Sequence, residues 1–296
     1  METTKAEADH KDYLEAYSAC LSLWPVAYKT VYVTTSYGDT HILISGSEEN
    51  PPLLLLHGLG FSSTMWYPNI AELSKSCCTY CIDIVGDANK TIFTRKPASR
   101  SELSEWLLEV IKALNLERPD LAGLSYGGFI ALNFAIHYPE YINKVILLSP
   151  AGTLQPFKLQ FFARVFSTLF FSGKKALLDN FLRWMFEERY EMHPLFLQQL
   201  TAGMRLRRSS SVDRGKKKSK SIWPSVIPND ELKNIKSDVM LLLGEEEVIY
   251  NPVKGLKRAK KWIPRIDAKL LKNVGHGMSM EQPDLINNYI LSFLQK

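Results

Sequence analysis

The chain has 296 residues, 46% hydrophobic and 23% charged, which supports a large buried core and excludes a disordered chain or a membrane protein. Its net charge of +5 is local: eight basic residues (Arg205, Arg207, Arg208, Arg214, Lys216, Lys217, Lys218, Lys220) against Asp213 give 205–220 a charge of +7, and +5 less +7 leaves the remainder at −2. That serine-containing stretch reads as a solvated basic loop, with an anionic partner or a membrane surface as the alternative, and the slightly acidic body gives no reason to expect a nucleic-acid partner.

Residues 1–11 are polar with charges of both signs, unlike a secretory signal, and no apolar run reaches the ~18 residues that span a bilayer. A cytoplasmic protein with no integral membrane segment is expected. Cys77, Cys78 and Cys81 crowd into one apolar run and Cys20 stands apart, with no His or further Cys at metal-ligand spacing. All four are expected to be buried thiols, with no metal and no required disulfide.

In chain order, the β-rich runs 32–35 and 41–45 flank Tyr37-Gly38-Asp39 and predict an antiparallel hairpin. Pro51-Pro52 opens the unbroken apolar run 53–56, which suits a strand buried on both faces. Short apolar runs follow at 79–84, 121–124, 144–148, 239–243 and 269–271, alternating with helical patterns at 62–75, 101–116, 126–137, 251–262 and 284–294. Strands alternating with helices predict a mostly parallel sheet covered on both faces. The interval 155–227 breaks the alternation. It offers no strand, only amphipathic stretches such as 157–171 and 177–187 rich in Phe, Leu and Trp, and is expected to be a helical lid over the carboxyl ends of the strands.

The run Gly123-Leu124-Ser125-Tyr126-Gly127-Gly128 stands between a predicted strand and a predicted helix. A nucleophile at so sharp a turn needs small neighbours, which Gly123 and Gly127 supply, and the helix N-terminus favours the negative charge that develops there. His57-Gly58-Leu59-Gly60 follows the first central strand. The backbone N–H groups of Leu59 and Tyr126 are the expected oxyanion donors, while His57, inside the turn, is expected to be structural.

Ser125 needs a base, and His276, between Gly275 and Gly277 after the last strand, is free to project toward it. His10, His41 and His137 lie in the polar start, the hairpin and a helix end; His193, in the lid, could at most touch substrate. The orienting acid comes from Glu245-Glu246-Glu247. Glu247, directly before the apolar pair Val248-Ile249, is best placed to turn inward, with Glu245 and Glu246 as alternatives.

From the hairpin through His57-Gly58, Ser125, Glu247 and His276 to the last helix, the whole chain resembles the α/β-hydrolase superfamily, and more narrowly the bacterial carboxylesterases of the Bacillus YbfK type. The resemblance implies an α/β-hydrolase fold: an eight-stranded, mostly parallel sheet with helices on both faces, a core at 1–152 and 232–296, and an inserted helical cap at 153–231. It also implies a Ser-acid-His triad, no cofactor, and hydrolysis of small-molecule carboxylic esters through an acyl-enzyme. Glu at the acid position departs from the commoner Asp, and its extra methylene requires a loop set further back.

Under the lid, Phe161, Phe162, Phe166, Trp184 and Trp223 are the candidate substrate contacts, suited to an apolar acyl chain of short to medium length. The same triad also serves C–C bond hydrolases, perhydrolases, thioesterases and hydrolase-fold receptors. Ser125 argues against the Asp-nucleophile enzymes of this fold.

Overall fold

The computed structural model describes residues 4–170, 175–187, 189–213 and 222–296, with the backbone alone at 166–170, 175–177 and 210–213. The elements in chain order are α1 (Lys5–Cys20), β1 (Lys29–Thr35), β2 (Gly38–Ser45), β3 (Pro52–Leu56), α2 (Tyr67–Leu73), β4 (Cys78–Ile82), β5 (Ile92–Phe93), α3 (Arg100–Ala113), β6 (Asp120–Leu124) and α4 (Tyr126–His137). There follow β7 (Lys144–Leu148), α5 (Leu159–Phe170), α6 (Lys175–Phe186), α7 (Pro194–Asp213), α8 (Asn229–Lys233), β8 (Asp238–Gly244), α9 (Pro252–Trp262), β9 (Ile266–Leu271), α10 (Met278–Glu281) and α11 (Pro283–Leu294). No helix among the described residues is long and apolar enough to cross a membrane.

The strands order as β1-β2-β4-β3-β6-β7-β8-β9, antiparallel from β1 through β2 to β4 and parallel from β4 onward. These eight are the strands predicted from the sequence; the two-residue β5 adds a ninth beside β2. Because strand side chains alternate in direction, Leu54 and Leu56 meet Trp106 of α3 and Phe129 of α4 on one face of the sheet, whereas Leu53 and Leu55 meet Ile70 of α2 and Ile290 of α11 on the other. All four leucines are fully buried, and truncating any one to Ala removes about 2–5 kcal/mol of stability.

The neighbouring strands β3 and β6 send their helices to opposite faces: α2 packs in the second of these clusters and α4 in the first. A crevice opens at the carboxyl ends of the strands where such a switch occurs.

One expectation needs correction, and one segment carries an element that was not expected. Residues 5–20 are not irregular but form the helix α1, begun by a capping box in which the Thr4 side chain and Glu7 satisfy each other's backbone N–H groups. Its buried Asp9, Tyr13, Ala16, Tyr17 and Cys20 recur at helical spacing, a period that the flanking charges conceal in the sequence. Nor is 205–220 a loop throughout, since α7 runs to Asp213. On this helix Phe196, Leu200 and Ala202 are buried and Arg205 and Arg208 are exposed, whereas Arg207 turns inward, so only part of the basic run is solvated. Arg214, Lys216, Lys217, Lys218 and Lys220 lie outside the described residues. All four cysteines are buried and unpaired.

Candidate active site

Ser125 stands between β6 and α4 at φ 55°, ψ −109°, a conformation an L-residue adopts only when its surroundings impose it. They do: its N–H donates to Leu148 O at 2.9 Å, and its carbonyl accepts from Phe129 N and Ala151 N, each at 3.0 Å. The turn closes so tightly that a Cβ at Gly123 would stand 2.3 Å from Gly127 O, and one at Gly127 2.2 Å from Leu56 O. Glycine is therefore required on both sides of the serine.

The turn after β3 comes close to the serine: a Cβ on Gly58 would lie 3.7 Å from that of Ser125. Both His57 nitrogens are engaged, Nδ1 donating to Gly58 O of the same turn at 2.8 Å and Nε2 accepting from Ile84 N, beyond β4, at 2.9 Å. Complete burial lowers the His57 pKa, so the ring is held neutral in a structural role. Among the described residues no partner receives the Leu59 or Tyr126 N–H, and both residues line the same cavity as Ser125.

The loop after β8 brings in one carboxylate. Glu245 and Glu246 are exposed, their backbone N–H groups donating to Leu271 O and Val274 O, while Glu247 is buried. Glu247 Oε2 accepts from His276 Nδ1 at 2.7 Å, and Oε1 accepts from Ile249 N at 2.8 Å. Gly244 is what permits this contact between loops, since a Cβ there would meet Val274 O at 2.1 Å. With Nδ1 donating to Glu247, the ring nitrogen left to act as a base is Nε2.

Ser125 and His276 line one cavity of about 200 Å³, otherwise walled almost entirely by apolar side chains of α4, α5, α6 and α7 and of the loops at the sheet's carboxyl edge. Of the aromatic candidates, Phe161 and Trp223 line it. Phe162 and Trp184 do not: Phe162 is 42% exposed within an aromatic cluster beside Phe157 and Trp223, and Trp184 packs on Phe181 beneath the Arg164 guanidinium. The Phe166 side chain lies outside the described residues. His193, exposed and accepting from Leu195 N, stays out of the cavity.

Sequence reasoning missed Phe157, Phe181, Met204 and Arg207, which do line the cavity. For Phe181 and Met204 only the spacing of large apolar residues on their helices offered a signal, and for Phe157 only its place at the head of the aromatic run before α5; for Arg207, none did.

A family model described as the alpha/beta hydrolase fold matches residues 51–283. The chain belongs to this family. As an alpha/beta hydrolase it is similar to two proteins of Bacillus subtilis (strain 168). It is 40% identical to the uncharacterized carboxylesterase nap over 281 residues (95% of this chain, 91% of the relative) and 37% identical to carboxylesterase YbfK over 282 residues (95% and 93%). The crystal structure of naproxen esterase (carboxylesterase NP) from Bacillus subtilis superposes on this hydrolase with a TM-score of 0.89 at 38% identity, covering 99% of this chain and all of the other.

Proposed function

We propose that this alpha/beta hydrolase is a carboxylesterase that cleaves small-molecule esters through an acyl-enzyme on Ser125. One observation carries the reading: a serine in a strained strand-to-helix turn shares an apolar cavity with an imidazole whose Nδ1 is held by a buried carboxylate. The likeness to the Bacillus carboxylesterases supports it.

In this mechanism His276 Nε2 takes the proton of Ser125 Oγ as that oxygen attacks the ester carbonyl. Glu247 fixes the tautomer and stabilises the imidazolium that forms. The carbonyl oxygen, now negative, is received by the N–H groups of Leu59 and Tyr126, each such donor lowering the barrier by about 3–4 kcal/mol. His276 then protonates the departing alcohol, and water activated by the same ring releases the acid. Residues 153–231 act as a cap whose apolar side chains, Phe161 and Trp223 among them, enclose an uncharged acyl chain of short to medium length.

A panel of p-nitrophenyl esters of rising acyl length, run beside Ser125→Ala, tests the proposal. Steady turnover on the shorter esters, abolished in the Ala variant, is the expected result. Wild-type rates in that variant would remove Ser125 as the nucleophile, and a stoichiometric burst with negligible turnover would instead mark a receptor.

A further inference from the structure

The loop carrying His276 is held from outside the triad. Glu281, its side chain 1% exposed, accepts the N–H of Gly275 on Oε2 at 2.9 Å and that of Gly277 on Oε1 at 3.1 Å, so one carboxylate grips the peptide on both sides of the histidine. Burying that charge is costly unless it is paired. Its counter-charge, Arg189, comes from the segment between α6 and α7 and donates through Nε to Oε2 at 3.0 Å. That segment and the end of α6 fill the space beside both glycines: a Cβ at Gly275 would strike Arg189 Nη2 at 2.0 Å, and one at Gly277 would strike the ring of Phe186, the last residue of α6, at 2.2 Å.

The turn bearing the Leu59 amide is built alike. Asp87, its side chain 2% exposed, accepts Gly60 N at 2.8 Å and Ala88 N at 2.7 Å, and pairs with Arg207 of α7. Each catalytic loop is thus tied by a buried carboxylate to an arginine of the helical insertion.

We propose that Glu281 and Asp87 are positioning residues, and that Arg189 and Arg207 make the placement of His276 and of the Leu59 N–H depend on the docked insertion. The inference rests on the esterase reading above. Without its carboxylate, each loop keeps its residues but loses its register against Ser125. A misplacement of about 1 Å costs on the order of 100-fold in rate, and substrate binding in the apolar cavity is left intact.

The test is steady-state kinetics of Glu281→Gln and Asp87→Asn, with active-site titration by a fluorophosphonate to count competent serines. The expected result is full titration, kcat reduced about 10- to 100-fold and KM within about twofold of wild type. A merely structural role would lower the titrated fraction while leaving kcat per titrated site unchanged, and that outcome overturns the proposal. If Glu281→Gln fails to fold, Arg189→Lys takes its place: lysine keeps the charge but not the guanidinium geometry, so a roughly tenfold fall in kcat, the value of one charge-assisted hydrogen bond, supports the inference and an unchanged kcat sinks it. An active Ser125→Ala would refute the acyl-enzyme reading on Ser125 itself, whereas wild-type kcat in both carboxylate variants beside a dead Ser125→Ala refutes the positioning alone.

Discussion

At Glu247 two hydrogen bonds settle what three consecutive glutamates leave open. One oxygen takes the Ile249 N–H and so aims the other at His276 Nδ1, while Glu245 and Glu246 stay at the surface. Replacing the carboxylate by an amide keeps the volume but removes the charge that stabilises the imidazolium and permits the wrong tautomer. Glu247→Gln is therefore expected to reduce kcat by about 10³- to 10⁴-fold, the scale seen when the acid of such a triad is neutralised. Glu245→Gln and Glu246→Gln are expected to stay within about twofold of wild type. Steady-state rates on one p-nitrophenyl ester decide it, and the reverse ranking would move the acid. The local sequence carried part of this: only Glu247 abuts the apolar Val248-Ile249 that must enter the core. The 2.7 Å approach of two loops 29 residues apart was not in it.

Between elements, the α1 and α7 helices meet over the turn that follows β3. Gln199 of α7 donates to Ser62 Oγ at 2.8 Å and to Tyr13 OH of α1 at 3.3 Å, and accepts from Thr64 Oγ1 at 2.7 Å, all in buried surroundings. Gln199→Leu would leave hydroxyl groups of Tyr13, Ser62 and Thr64 buried with fewer partners, at about 1–3 kcal/mol for each one orphaned. The expected outcome in a thermal melt is a Tm lowered by several degrees. A Tm equal to wild type would show that the network contributes nothing net. Neither helix was fully legible: in α1 the charges of 5–15 concealed a buried stripe, and in α7 the arginines from 205 onward read as a loop. Propensity and charge are read locally, whereas each of these helices is stabilised by burying a face against the other, through Tyr13, Ala16, Tyr17 and Ala202.

Across the molecule, Asp83, just beyond β4, links the antiparallel edge to the catalytic crevice. It is fully buried, yet accepts from His41 Nδ1 of β2 at 2.9 Å, from Ser63 N at 2.7 Å and from Lys90 N at 3.1 Å. Burial opposes its ionisation, but the His41 bond and charge and the Ser63 amide outweigh this and hold its pKa down at about 2, below the ordinary 3.8. A carboxyl whose pKa is depressed by folding contributes stability that is complete above its unfolded value and is lost as pH falls through the folded one. The contribution, about 2 kcal/mol, is therefore expected to disappear between about pH 4 and pH 2. In urea melts across that window Asp83→Asn is expected to be less stable than wild type at neutral pH and to show a flatter acid dependence; parallel curves for the two proteins would refute this role.

The mostly parallel sheet, eight of its nine strands and the strand-turn-helix setting of Ser125 were legible in the amino-acid sequence, because apolar periodicity and glycine placement act within a few residues and need no partner; the two-residue β5 was not. The inward turn of Glu247, the helical identity of 5–20 and 205–213, the choice of Phe161 and Trp223 rather than Phe162 and Trp184 as cavity walls, and the carboxylate ties at Asp87 and Glu281 emerged from tertiary contacts. Each of these depends on a contact between segments far apart in the chain, whose free energy exists only once the sheet has brought them together.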